Sequence, residues 1–248
     1  MREPVLQLRQ LGKSFGGLTA VKDVTLEVFP GDRQALIGPN GAGKTTLFNL
    51  ITGVLPASAG RILLFGADVT GWPSHRRTAL GMARTFQITS LFPRLPVLDN
   101  VLLAIGGLRR TKFVMWRTLS SYTELYDKAR RLLEAAGYWE RRGVEVRNLS
   151  HGEQRQIEIV LGLASEPKLL LLDEPCAGLS SGESREMAAF LKRLDPRLAI
   201  LLIEHDMDVV FDVVERISVL HFGQVVESGS AAAIRASPKV QEIYLGTG

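Results

Sequence analysis

The run Gly38-Pro39-Asn40-Gly41-Ala42-Gly43-Lys44-Thr45 has glycine at its first and sixth positions, followed by Lys and Thr. It follows a strand-like segment, 35–37, and precedes a helical pattern, 46–51. In that context the spacing is a phosphate cradle. Glycines let the backbone wrap closely enough for successive N–H groups to face phosphate oxygens, and the N-terminus of the following helix adds partial positive charge. Lys44 would neutralise the β and γ phosphates, and Thr45 would ligate Mg2+. The binding set expected from this segment is Gly38, Pro39, Asn40, Gly41, Ala42, Gly43, Lys44, Thr45 and Thr46.

A second chemical feature is Asp173-Glu174-Pro175, directly after the apolar run 169–172. In an open α/β sheet, ligands lie at the carboxyl ends of strands, which would bring two carboxylates beside the phosphate loop. Asp173 would hold the metal through water, and Glu174 would orient and deprotonate the attacking water. Taken alone, such a dipeptide is equally an ordinary polar turn; the phosphate loop tips the balance. His205 follows the apolar run 199–203 in the same way and could donate a hydrogen bond to a γ-phosphate; a lone histidine at a strand end is more often structural, and this reading leans on the constellation.

A third is Ser150, with Glu153 at capping-box spacing ahead of Ile157, Val160, Leu161 and Ala164 at helical intervals. It marks a helix N-terminus with Gly152 in its first turn. Its free N–H groups could bind an anion. A plain structural cap is the competing reading. Two phosphate-binding helix ends in one chain make sense if two chains pair head to tail, each offering Ser150, Gly152 and Glu153 to the other's nucleotide.

The elements that must position these groups fall into three regimes. Residues 5–8, 24–29, 33–37 and 61–65 read as strands, interrupted by one helix after Gly43. From about 70 to 162 helical patterns dominate, with Leu125, Ala129, Leu132, Leu133 and Ala136 on one stripe. Two wholly apolar runs, 169–172 and 199–203, then suggest central parallel strands covered on both faces. A hairpin around His221-Phe222-Gly223 and a helix over 240–245 close the chain. No apolar run approaches the roughly 20 residues that a membrane span needs, and no signal-peptide pattern opens the sequence. With a single cysteine, Cys176, read as a packing residue, a cytoplasmic location is expected. The net charge of +4 decides nothing. The arginine pairs 76–77, 109–110, 130–131 and 141–142 read as a solvated face, with acidic headgroups or a membrane subunit's cytoplasmic loop as the second reading, and 112–116 as core or as a patch that a partner covers.

Together these residues resemble the ABC-type ATPases over essentially the whole chain. Leu149-Ser150-His151-Gly152-Glu153 resembles the family signature, Asp173-Glu174 the Walker B end, Gln87 the glutamine joining the lobes, and His205 the switch histidine. Phe15 stands where the family stacks an aromatic on adenine. The resemblance implies an α/β fold, a P-loop NTPase with a RecA-like core, an N-terminal antiparallel β subdomain and a helical subdomain. The core and β subdomain would occupy about 1–85 and 165–248, and the helical subdomain about 88–162. It further implies ATP and Mg2+ held between two ATPase subunits, alike or different. Glu174, His205 and Gln87 would be catalytic, and Thr45, Asp173 and Gln87 would lie on the metal. Motion would pass near Gln87 to integral-membrane permease subunits and, indirectly, to a substrate-binding protein. The chain would then sit peripherally on the inner face of the cell membrane, with no nucleic acid expected.

Finer similarity lies in Ala83-Arg84-Thr85-Phe86-Gln87, Leu91-Phe92, Val97-Leu98-Asp99-Asn100-Val101 and Ile203-Glu204-His205-Asp206-Met207. These look like the ATP-binding subunits of branched-chain amino acid importers. Urea and short-amide importers carry closely similar chains, and soluble ABC ATPases acting on nucleic acid form another class. Members of that class usually carry tandem ATPase units or long coiled-coil insertions. A phosphotransferase would leave the Ser150 end and His205 without a role. Two departures stand out: His151 replaces the usual signature glycine, and Ser180 stands where many members have Asp.

Overall fold

The computed structural model describes residues 3–85, 91–107 and 123–245. Gln87, Arg109-Arg110 and the segment 112–116 lie outside them. In chain order the elements are β1 (Leu6–Phe15), β2 (Leu18–Val28), β3 (Arg33–Ile37), α1 (Lys44–Thr52), β4 (Ala59–Leu64), β5 (Ala67–Asp68), α2 (Ser74–Ala79), β6 (Met82–Arg84) and α3 (Val97–Gly107). Then come α4 (Thr123–Ala136), α5 (His151–Leu163), β7 (Leu169–Asp173), α6 (Ser181–Arg193), β8 (Ala199–Ile203), α7 (Met207–Val213), β9 (Arg216–His221), β10 (Gln224–Ser230), α8 (Ala231–Ala236) and α9 (Pro238–Leu245).

The chain divides into two units. The first comprises Met1–Arg84, Lys168–Glu174 and Pro196–Gly248. It holds a four-stranded antiparallel sheet in the order β2-β1-β4-β5 and a six-stranded sheet in the order β10-β9-β3-β8-β7-β6. In the second sheet β3, β6, β7, β8 and β9 run parallel, and β10 returns antiparallel as the expected hairpin. All five residues of β7 and of β8 are buried, which explains why these strands carry no polar alternation. Leu47, Phe48, Leu50 and Ile51 of α1 pack into the same core as Leu36, Leu171, Leu201 and Ile203. Each such side chain contributes about 1.5–3 kcal/mol when fully buried. The strand expected over 5–8 runs on to Phe15, because Gln10 takes a left-handed conformation (φ 50) and the pairing register shifts rather than ends.

One expectation is corrected here. Arg77 does not belong to a solvated face: it is 1% exposed and donates to the carbonyls of Leu50, Ile51, Trp72 and Thr70. The guanidinium satisfies carbonyls at the C-terminal end of α1 and is fastened there.

The second unit comprises Thr85–Pro167 and Pro175–Asp195. Helix α4 buries Leu125, Ala129, Leu133 and Ala136 of the stripe read from the sequence, while Leu132 is only half-buried. The Tyr138 hydroxyl donates to Gln156 Oε1 at 3.0 Å in a buried setting, and burial pushes its phenol up to about 12. The segment 175–195 clusters here, whereas its sequence position suggests the core. Helix α6 packs on α5 and lends it a capping carboxylate, described below. No helix among the described residues is long and apolar enough to cross a membrane.

Candidate functional site

In the first unit β3, β7 and β8 run parallel with Leu36 opposite Ile203 and Ile203 opposite Asp173, so their carboxyl ends lie side by side. Gly38, Glu174 and the Glu204-His205 pair therefore leave the sheet at one edge. The phosphate loop is shaped by backbone that only glycine adopts easily: Gly41 has φ 79 and Gly43 φ 102. Gly38 is constrained sterically, since a Cβ there would stand 2.1 Å from the Leu220 carbonyl oxygen. The Gly223 N–H donates to Ala42 O at 2.9 Å, tying the loop to the β9–β10 hairpin. Helix α1 starts from Gly43 with no side-chain cap and no acidic residue in its first turn. Its N-terminus thus keeps its positive partial charge for a ligand.

Lys44 is buried and donates to the carbonyls of Gly38 at 2.6 Å and Pro39 at 3.0 Å. Burial lowers its pKa, opposed by the charges of Glu174 and then Asp173. Thr45 is exposed and Thr46 partly so, at the start of α1.

Asp173 is 5% exposed, and its Oδ2 accepts a 2.6 Å bond from Arg84 Nη2. Its Oδ1 has no hydrogen-bond partner among the described residues. A buried carboxylate oxygen left this way needs a donor or a hydrated cation. Glu174 stands at φ 50, a left-handed conformation costing about 1–3 kcal/mol in a non-glycine residue, and its N–H donates to Ile203 O at 2.9 Å. This turn separates the Glu174 side chain from the strand direction that Asp173 follows. His205 is exposed, immediately before Asp206, which caps α7 by accepting from Asp208 N and Val209 N. Phe15 is 47% exposed at the end of β1, with Lys13 Nζ 4.9 Å from its ring centroid.

In the second unit α5 begins as expected, with a complete capping box between Ser150 and Glu153. The first-turn N–H groups are less free than the sequence suggests. Glu153 N donates to Ser150 Oγ at 3.2 Å, and Gly152 N donates to Glu183 Oε1 at 3.1 Å. Glu183 is also the capping-box residue of α6, whose N-cap is Ser180. Bonds from the Ser180 and Gly152 N–H groups and the Ser180 hydroxyl hold its carboxyl down at about 2. Glu153 also pairs with Arg141. The His151 ring lies toward Gly178, its Cε1 3.7 Å from where a Cβ on that glycine would be.

Three residues carry roles that sequence reading passes over. Arg84 serves there only as part of a similarity pattern. Glu183 is invisible as a partner of Gly152, since they lie 31 positions apart. Tyr244 of α9 receives a hydrogen bond from the Gly38 backbone, which works against the rise in its pKa that burial causes. No local spacing signals any of these contacts.

A family model described as ABC transporter matches residues 21–177. The high-affinity branched-chain amino acid transport ATP-binding protein LivG of Escherichia coli (strain K12) is 38% identical over 257 residues, covering 99% of each chain. The corresponding protein BraF of Pseudomonas aeruginosa is 36% identical over 253 residues, again covering 99% of each. Among solved structures, the ADP conformation of MJ1267, an ATP-binding cassette of an ABC transporter, superposes with a TM-score of 0.85 at 29% identity, covering 98% of this chain and 99% of that one. Fold and site define a P-loop nucleotide hydrolase of the ATP-binding cassette type. The chain belongs to the ABC transporter family, as an ATP-hydrolysing component whose activity is coupled to transport.

Proposed function

We propose that this chain powers a branched-chain amino acid importer, hydrolysing MgATP in a pair of ATPase subunits docked on integral-membrane permease subunits at the inner face of the cell membrane. A substrate-binding protein would deliver the amino acid. The observation that supports the choice of substrate is the similarity to LivG and BraF, at 38% and 36% identity, which runs over 99% of each chain.

The residues fit the chemistry. Backbone N–H groups from Gly41 to Thr46 and the Lys44 ammonium hold the phosphates and offset charge as the terminal P–O bond breaks. Asp173 Oδ1 and the Thr45 hydroxyl are the groups that would hold Mg2+, directly or through its water. Bound there, the ion neutralises charge on the β and γ phosphates. Glu174 accepts the proton of the attacking water and His205 donates a hydrogen bond to the γ-phosphate, while Gln87 would have the role that the family resemblance gives it. Phe15 stacks on adenine. Ser150, Gly152 and Glu153 complete the partner's site rather than their own.

The test is uptake of labelled leucine and, separately, of urea in cells lacking this chain. Loss of leucine uptake, restored by the wild-type chain and not by a Glu174→Gln chain, is the expected result. Unchanged leucine uptake with loss of urea uptake would reassign the substrate, and copurification with nucleic acid instead of a permease would reject transport altogether.

A further inference from the structure

The geometry points to Arg84 as a positioning residue for the hydrolytic site, one that fixes which oxygen of Asp173 faces the metal. The inference rests on the reading of Asp173 as the metal-side carboxylate. Arginine and carboxylate commonly meet fork to fork, which would occupy both oxygens. Here Nη2 addresses the carboxylate at one oxygen, 2.6 Å from Oδ2. Nη1 turns away to Asn49 Oδ1 at 2.7 Å, with Thr52 Oγ1 at 3.3 Å, and the guanidinium carbon stands 5.8 Å from the centre of the Phe48 ring. Both side chains of the ion pair are nearly buried, at 9% and 2% exposure.

Asn49, Phe48 and Thr52 belong to α1, the helix that starts at Lys44. The guanidinium is therefore anchored on the helix that carries the phosphate-binding lysine, and it holds Oδ2 of Asp173 from there. With one oxygen held, rotation of the carboxylate about its terminal torsion is restrained, and Oδ1, which has no hydrogen-bond partner among the described residues, stays presented. Arg84 also ends β6, three residues before Gln87 in the chain. Movement of that strand end would be felt directly at Asp173. A residue that orients a metal-side ligand commonly changes metal affinity by about 10–100-fold when removed.

The experiment compares full-length wild type, Arg84→Gln, Arg84→Lys, Asn49→Ala and Asp173→Asn. Trinitrophenyl-ATP binding is titrated in EDTA and across a Mg2+ series, and hydrolysis is measured over the same series. Arg84→Gln should need about tenfold or more Mg2+ for half-maximal binding enhancement and hydrolysis, with affinity in EDTA within about twofold of wild type. Arg84→Lys and Asn49→Ala should shift the Mg2+ midpoint the same way by smaller factors. They carry the test if Arg84→Gln shows no cooperative melt. A wild-type Mg2+ midpoint in the folded Arg84 variants, with Asp173→Asn strongly shifted, overturns the role of Arg84 alone. A lower midpoint overturns it too, since it makes the guanidinium a competitor of the ion. An unshifted Asp173→Asn would instead remove the underlying reading of Asp173.

Discussion

Two helix N-termini in this chain are built in opposite ways. Helix α1 starts from Gly43 in a left-handed conformation, with no capping side chain and no acid in its first turn. Helix α5 starts from Ser150 in an extended conformation, with a reciprocal capping box and a second carboxylate, Glu183, on the N–H of Gly152. An uncapped helix end leaves donors unsatisfied, so natural helices seldom forgo a cap without another acceptor. The contrast teaches where each end expects its anion. The α1 end has neither a capping side chain nor a first-turn acid, which on the proposed function leaves it open for phosphate. At the α5 end the N–H groups of Gly152 and Glu153 are taken by their own chain and the carboxylates of Glu153 and Glu183 lie there, so a partner's phosphate would meet it through the Ser150 hydroxyl and the remaining N–H rather than a bare dipole.

This contrast can be broken in graded steps. Lys44→Ala removes the cation that serves the open end, and hydrolysis should fall by at least ~10²–10³-fold with loss of tight nucleotide binding. Retained affinity in a trinitrophenyl-ATP titration would undo the assignment. Glu174→Gln should slow turnover by ~10²–10⁴-fold while leaving nucleotide bound, read by single-turnover hydrolysis against equilibrium binding. At the closed end the effects concern stability. Glu183 has a folded pKa of about 2 against an ordinary 4.5, so its contribution is fully present above 4.5 and is lost as pH falls from there through 2. Urea melts at pH 6 and pH 3 should show a steeper acid loss in wild type than in Glu183→Gln. Smallest of all, Ser150→Ala should cost about 1 kcal/mol of stability and leave ATP affinity of the isolated chain unchanged. A Ser150→Ala chain that loses its own nucleotide would contradict the separation of the two ends.

The open end was the more legible in sequence. A contiguous eight-residue pattern, a preceding strand and a following helix are all local, as are the apolar runs that become β7 and β8. The capping box was legible for the same reason. What escaped depends on distant residues. Glu183 reaches Gly152 from another helix, Arg84 meets Asp173 across 89 positions, and Arg77 looked like half of a surface pair until the carbonyls at the end of α1 claimed it. The left-handed turn at Glu174 is likewise unmarked, because an acidic residue at positive φ has no sequence signal when the surrounding sheet imposes it.

The central claim is that an open phosphate end and a closed capping end on one chain are halves of different pockets, completed by a second subunit. The direct measurement uses mixed pairs of one Lys44→Ala chain and one Ser150→Arg chain, with each variant paired with itself as control. The account predicts one MgATP bound per mixed pair: the Lys44 and Ser150 defects fall together in one pocket and leave the other intact. No nucleotide in the mixed pair, or undiminished turnover by a strictly monomeric wild-type chain at any dilution, would contradict it.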